Sequence, residues 1–424
     1  MKKQKSPWSW IPTLYFAEGL PFITATEVAT VIFKNLELSN SFIAFFASMF
    51  RLPSILVKFI FGPLLDLAKT KRYWVVLLQW LMTVCFALIA FFLPATFAVK
   101  AIVALFIILA LNSALHDIAA DGFYMLALST ENQSFFVGIR NTFYRLANVF
   151  SQGLLVWFVG AMFEGKIFPK LKDQIQLSWA IGFGILAVFF LLISLYHTFA
   201  LPKPASDKPQ KVSSTTNIFA DFAQTFKTFF VKKDIGLIMF FLLTYRLGEA
   251  LLIPLTKPFL MDAFNKGGLA LETSSIGVIY GTFGVIALLL GGILGGILIS
   301  KNGLKKWLIP MALFLNIPDI LYVLLAQWQP ENIWYSATFV IFEQFGYGFG
   351  FTAYMLFLIR IADGQFKTAH YAFGTGIMAL SMFIPGLFAG IIQERLGYTM
   401  FFILVCVSTI PGIFASFLVK RKML

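Results

Sequence analysis

The sequence predicts an all-α membrane protein of twelve transmembrane helices, arranged as two halves of six. Three observations carry this. Twelve apolar stretches, each about 20 residues or longer, fill nearly the whole 424-residue chain, and about 20 apolar residues suffice to cross a bilayer as a helix. The composition is 59% hydrophobic and 12% charged with a mean hydropathy of +0.83, a balance that no soluble domain shows. The only long polar stretch, 201–235, falls between the sixth and seventh apolar segments.

The expected spans are 10–33, 41–65, 73–94, 98–126, 134–161, 177–200, 236–261, 274–300, 307–327, 332–359, 366–392 and 398–419. The first follows a basic start, Lys2, Lys3 and Lys5, in the manner of a signal peptide. It is too long for a signal core and contains Glu18 and Glu27, so it is expected to remain as the first membrane helix. An even number of spans puts both termini on one side. That side gathers Lys69, Lys71 and Arg72, then Lys301, Lys305 and Lys306, then Lys420, Arg421 and Lys422, with six lysines in 201–235. The other side is sparser in cations, with Lys34, Lys100, Lys166, Lys170, Lys172, Lys266 and Arg395. The excess of Lys and Arg places both termini in the cytoplasm. It also accounts for the net charge of +13 without a nucleic-acid partner.

The polar stretch divides the chain into 1–200, a linker 201–235 and 236–424. Pro202, Pro204 and Pro209 open the linker; Phe219, Phe222, Phe226 and Phe229 then recur at helical spacing, as in a helix lying on a membrane surface. Two halves of six predict an internal repeat. Ala17-Glu18-Gly19-Leu20-Pro21 in span 1 is echoed by Gly248-Glu249-Ala250 and Pro254 in span 7. Gly62 and Asp66 after span 2, followed by Lys69 and Arg72, are echoed after span 8 by Gly296 and Ser300, then Lys305 and Lys306.

Charges inside spans identify the working parts, because a charge in a membrane helix is expensive and faces a pathway or a partner. Span 4 carries Asn112, His116, Asp117 and Asp121, the two acids four residues apart on one face. Two carboxylates this close do not both ionise easily, which makes them the leading proton carriers, with Glu18 and Glu249 next. Span 5 carries Arg140, and then Asn141, Arg145, Asn148 and Gln152 as a polar stripe, with Tyr144 beside it. Arg145 is expected to pair with Asp117 or Asp121. Span 7 has Tyr245, Arg246 and Glu249, the last two spaced to pair within the helix; span 10 has Glu343, Gln344, Tyr347 and Tyr354 among glycines. The substrate-binding candidates are Arg145, Asn141, Asn148, Gln152, Tyr144, His116, Arg246, Tyr245, Glu343 and Tyr347, and the cytoplasmic gating candidates Gly62, Asp66, Lys69 and Arg72. Arg51 and Lys58 lie in span 2, and Asn316 and Asp319 flank Pro318 in span 9. Glu27 is expected to be solvated at the outer surface and His370 to be a satisfied helix-end histidine.

No metalloprotease, serine-hydrolase or phosphate-loop motif is present, and Cys85 and Cys406 are isolated within spans. These absences argue against a membrane enzyme, an ATP-driven pump, a metal site and a cofactor. An ion gradient or the substrate's own gradient must supply the energy.

The motifs resemble the branch of the major facilitator superfamily that contains the muropeptide permeases, the acetyl-CoA transporters and a set of siderophore importers. The resemblance rests on Glu18-Gly19-Leu20-Pro21, Lys58 to Asp66, His116-Asp117-Ile-Ala-Ala-Asp121-Gly122, Tyr144-Arg145-Leu, Tyr245-Arg246-Leu-Gly248-Glu249 and Phe366 to Tyr371, in order along the chain. It implies two six-helix bundles about a midplane cavity and a monomeric, proton-driven importer in the bacterial inner membrane. The substrate it implies first is a peptidoglycan-derived amino sugar or muropeptide. A siderophore is the alternative within the fold, and a transporter-like sensor without turnover the alternative outside it. His116 replaces the usual Gln, and the Asp121-Gly122 step is nearer the other two subfamilies than the muropeptide permeases.

Overall fold

A computed structural model describes residues 6–60, 69–208, 227–362 and 367–424. Ten of its helices are long and apolar enough to cross a membrane: α1 Pro7–Asn35, α2 Asn40–Val57, α3 Lys71–Phe92, α4 Ala98–Ala127, α5 Glu131–Phe163, α6 Ile175–Ala200, α7 Ile235–Met261, α8 Thr273–Asn302, α9 Leu304–Trp328, and a stretch Phe373–Lys422. Helix α10, Ile333–Ile361, is 29 residues long but is diluted by glycines, tyrosines and Glu343. The stretch that begins at Lys367 turns sharply at Gly397, whose φ of 74° is open to glycine alone at low cost. It therefore counts as two helices, α11 (367–396) and α12 (398–422), and the predicted total of twelve is reached.

The helices are not uniform. Turns of π-helix interrupt α1 at Thr24–Val28, α5 at Val149–Leu155 and α8 at Gly277–Gly284. α7 is broken after Thr244 and resumes at Leu247, with Arg246 off the helical conformation at φ −115°, ψ 21°.

Two compact units emerge. Unit 1 is Met1–Glu37, Met49–Val212 and Glu272–Gly281; unit 2 is Leu38–Ser48, Ser213–Leu271 and Thr282–Leu424. Within unit 1, α1 packs on α4 and α5, and α3 on α4 and α6. Within unit 2, α10 packs on α8 and α9, and α7 on α11 and α12. Glycines set the closest approaches. A Cβ on Gly348 of α10 would lie 1.9 Å from the Leu288 carbonyl oxygen of α8, so the two backbones touch there.

Polar clusters fasten the first turn of α8 in unit 1 and that of α2 in unit 2. In unit 1, Glu164 accepts from the Ser274 N–H at 2.9 Å, and Lys166 Nζ reaches Glu164 at 2.8 Å and Glu272 at 2.6 Å. Burial works to lower the Lys166 pKa, but its hydrogen bonds to Glu164 and Glu272 outweigh it and leave it raised. In unit 2, the Asn40 amide donates to Gln393 Oε1 and to Tyr398 Oη, each at 2.8 Å, while Tyr398 Oη donates to Asp262 Oδ2 at 2.6 Å.

The basic turn before α3 is a fastener too. Asp207 accepts from the backbone N–H of Lys71 at 2.7 Å and of Arg72 at 3.0 Å, capping the α3 N-terminus. The Arg72 guanidinium donates to the Thr198 and Leu201 carbonyls at the end of α6, and Lys69 sits over the Tyr73 ring at 5.8 Å. Gly62 and Asp66, the other two gating candidates, lie outside the described residues, as do Phe219, Phe222 and Phe226 of the linker stripe. Phe229 is fully buried against Phe373, and His370 beside it meets Thr228 Oγ1 at 3.0 Å.

Candidate functional site

The acids of unit 1 come together because α1 can lie directly on α5. A Cβ on Gly19 would stand 2.9 Å from the Tyr144 carbonyl oxygen and 3.2 Å from Ala147 Cβ; glycine alone permits that approach. Glu18, on the same turn, is buried, and the charge of Asp117 of α4 acts on it. The second Glu18 oxygen has no hydrogen-bond partner.

One turn further along α4, Asp121 Oδ1 accepts from Tyr15 Oη at 3.0 Å and from Arg140 Nη1 at 2.8 Å. The same guanidinium nitrogen donates to Tyr15 Oη at 2.9 Å, and the guanidinium lies 4.8 Å from the Tyr15 ring centre and 5.1 Å from that of Tyr124. Arg140 is thus held by one carboxylate and two aromatic faces. The two span 4 acids, predicted to act as a pair, take different partners: Asp117 meets Glu18, and Asp121 meets Arg140.

A second polar chain crosses unit 1. The Gln79 amide nitrogen of α3 meets His116 Nε2 at 3.0 Å, its oxygen meets His197 Nδ1 of α6 at 2.9 Å, and His197 Nε2 meets Thr13 Oγ1 of α1 at 2.9 Å. His116, Gln79 and His197 are each fully buried.

Unit 2 gathers three acids where α7 is broken. Glu249 lies in the first turn of the resumed helix. Asp319 of α9 is adjacent, since a Cβ on Gly248 would lie 3.0 Å from Asp319 Oδ2. Glu343 of α10 accepts from Tyr322 Oη at 3.1 Å and from Gln344 Nε2 at 3.0 Å. Arg246 bonds the Tyr347 hydroxyl and lies over the rings of Tyr347 at 5.3 Å and Phe351 at 4.7 Å.

Residues 14–389 match the Major Facilitator Superfamily. The chain belongs to that superfamily. It is a multi-pass membrane transporter of small molecules and not an enzyme. Among its relatives are the anhydromuropeptide permease of Escherichia coli (strain K12), 25% identical over 94% of this chain and 77% of the relative, and the putative transporter AmpG 1 of Rickettsia bellii, 24% identical over 87% of each. These support the resemblance to the muropeptide permease branch. Solved structures of the same fold include a bacterial homologue of the human lysosomal transporter Spinster, 18% identical over 97% of this chain and 95% of that one with a TM-score of 0.68. A D-xylose–proton symporter is 13% identical over 98% and 96%, with a TM-score of 0.69.

Within this major facilitator chain several expected contacts take another form. Arg145 is exposed and makes no ion pair among the described residues; Arg140, five residues earlier, reaches Asp121 in its place. Asn141 is also exposed, Asn148 is half-buried and accepts from Gln152 at 2.5 Å, and Tyr144 lies alongside Gly19. His116 is not at an accessible surface, because Gln79 draws it into the bundle. Tyr245 is likewise fully buried, its hydroxyl donating to the Gly350 carbonyl at 2.9 Å and its ring packed on Phe241 and Tyr354. Arg246 and Glu249 form no ion pair, since the break in α7 separates them from helical spacing. Glu27 is not freely solvated but pairs with Arg51 at 2.5 Å. The cavity described in unit 1, about 570 Å³, is lined by helix-end and loop residues such as Asn35, Glu37, Asp173 and Gln174, and by none of the predicted site residues. Among the polar participants absent from the predicted set are Arg140, Thr13, Tyr15, Tyr322, Gln79, His197 and Asp319. A mid-span polar residue in an otherwise apolar helix was the available signal for the last three.

Proposed function

We propose that this transporter is a proton-driven importer of a peptidoglycan-derived amino sugar or muropeptide, working in a bacterial inner membrane with both termini in the cytoplasm. The observation that carries the proton coupling is the buried Glu18 carboxyl group with Asp117 acting on it, one turn from the Asp121–Arg140 ion pair. A proton taken up by Glu18 sits where a change in the neighbouring ion pair alters the cost of keeping it. Arg140, rather than Arg145, is the guanidinium that exchanges partners: when Asp121 is protonated, Arg140 becomes available to an acidic or carbonyl group of the substrate. Exposed Arg145 and Asn141 then offer first contacts to a polar solute. The substrate class is supported by the similarity to the anhydromuropeptide permease over 94% of this chain. The membrane potential adds roughly 2.3 kcal/mol per charge per 100 mV, so one or two protons are sufficient for uphill uptake.

The test is uptake into proteoliposomes carrying an imposed pH gradient, with anhydromuropeptides, simple sugars and ferric chelates offered in parallel. Accumulation of the cell-wall fragments, abolished by a protonophore, is expected. Accumulation of a ferric chelate alone would transfer the assignment to a siderophore importer, and binding without flux to a sensor.

A further inference from the structure

We propose that unit 2 carries a proton-binding site of its own, formed by Glu249, Asp319 and Glu343, which gains and loses protons during transport separately from the Glu18–Asp117 pair. The inference rests on the reading of the chain as a proton-driven transporter, but on other residues and another geometry.

The three acids are more deeply buried than any described acid in unit 1, with Glu249 and Asp319 at 0% and Glu343 at 1% exposure. Both carboxyl oxygens of Glu249 and both of Asp319 lack a hydrogen-bond partner. So does Asn316 Oδ1, a buried acceptor one turn before Asp319. Such a set of oxygens has no donor, and donors are what buried acceptors require. The acids are neighbours. Gly248 leaves room for Asp319 beside Glu249, and Tyr322, one turn after Asp319, reaches Glu343. The charges of Asp319 and Glu343 both act on Glu249.

Among the described residues the other ionisable groups around the cluster are Arg246, Tyr322, Tyr347, Tyr354 and Cys406 of α12, on which the charge of Asp319 acts. Arg246 is the sole cation among them, and it is already engaged by Tyr347 and Phe351. Three carboxylates against one guanidinium leave two negative charges uncompensated in a low-dielectric interior, where each unpaired ion costs several kcal/mol. Two protons remove that excess, and each also creates an O–H donor for the orphaned oxygens. Among the described residues no three His, Cys, Asp or Glu side chains are gathered so as to hold a metal ion, and the salt comparison below separates a proton from sodium as the neutralising species. A site in each unit gives the transporter more than one proton per cycle.

The test is infrared difference spectroscopy on the full chain in lipid nanodiscs during pH steps, with protons as the only probe and either sodium or choline as the salt. The expected result is a protonated-carboxyl C=O band whose intensity changes over the pH steps. It should lose separate components in Glu249→Gln, Asp319→Asn and Glu343→Gln, keep them in Asp117→Asn, and be the same in both salts. Glu249→Asp and Asp319→Glu, which retain the acid, should shift a component rather than delete it. Three outcomes overturn the proposal: no component lost in any of the amide variants, a band that never titrates, or a band removed by sodium at constant pH. The readout needs no transported substrate. A substrate panel without flux but with an intact band overturns the proposed function alone, and flux without the band overturns this inference alone.

Discussion

Asp121 in unit 1 is partly exposed and takes hydrogen bonds from Arg140 and Tyr15, whereas Asp319 in unit 2 is fully buried and neither of its oxygens meets a donor. Burial alone predicts the reverse, since the deeper charge has the greater need of a counter-ion. The contrast makes sense if the two acids do different things. An acid that takes a proton beside a guanidinium releases that partner to another group, whereas a buried carboxyl group without a partner changes charge state and releases none.

Four experiments test the contrast between the two units. The largest effect is expected at Arg140. Arg140→Lys keeps the charge but loses the planar guanidinium that lies over the Tyr15 and Tyr124 rings, and uptake should fall about ten-fold or more, a loss of about 1.4 kcal/mol or greater in the driving step. Arg145→Lys, lacking an ion pair to lose, should stay within about three-fold of wild type (about 0.7 kcal/mol). A larger loss at Arg145 than at Arg140 would restore the stripe arginine to the centre of the site.

The two glycines beside the acids come next. Gly19→Ala drives a methyl against the Tyr144 backbone, which cannot swing away, and about 2 kcal/mol of stability should be lost. Gly248→Ala meets Thr409 Cγ2 and Asp319 Oδ2, both side-chain atoms, and should cost less than about 1 kcal/mol. Thermal unfolding in detergent ranks the two.

A smaller difference, of opposite sign, separates the aspartates. Asp121→Asn leaves Arg140 without its ion pair and should lower stability by about 1–2 kcal/mol, discounted because the pair is partly solvated. Asp319→Asn removes an acid with no partner and should leave stability unchanged or raise it. Equal destabilisation in both would show that Asp319 is a structural acid with a partner. The smallest effect is Thr13→Val, which removes one hydrogen bond from the His197–Gln79–His116 chain and should cost about 0.5–1.5 kcal/mol with uptake retained. Loss of uptake at wild-type stability would bring that chain into the proton path.

The fold was almost wholly legible, because hydrophobic length and the bilayer dictate it: the twelve spans and the polar stretch at 201–235 needed only composition and spacing. The acids were legible as well, since a mid-span Glu or Asp is rare enough to announce itself. Their partners were not. Arg145 lies in line with Asn141, Asn148 and Gln152, and helical periodicity selected it. Arg140 lies off that stripe, and only the packing of α1 on α5 at Gly19 brings Tyr15 and Asp121 to it. The break in α7 was hidden for a similar reason. Tyr245 and Arg246 are acceptable helix residues by propensity, and the sequence offers no glycine or proline at the break itself. Asp319 was seen as one polar residue beside Pro318, and its tie to Glu249 depends on the missing side chain at Gly248, which a one-dimensional reading does not display.

The π-turn at Val149–Leu155 in α5 carries a mechanical consequence. Such a turn holds one residue more than an α-helical turn, and successive residues of a helix are offset by about 100°. If that surplus residue migrates toward Tyr144, the side chains it passes rotate by about that angle while both ends of the helix remain fixed. α5 is thereby able to exchange which of its polar groups is presented to the acids of α1 and α4 by peristalsis within the helix, with no displacement of the helix as a whole.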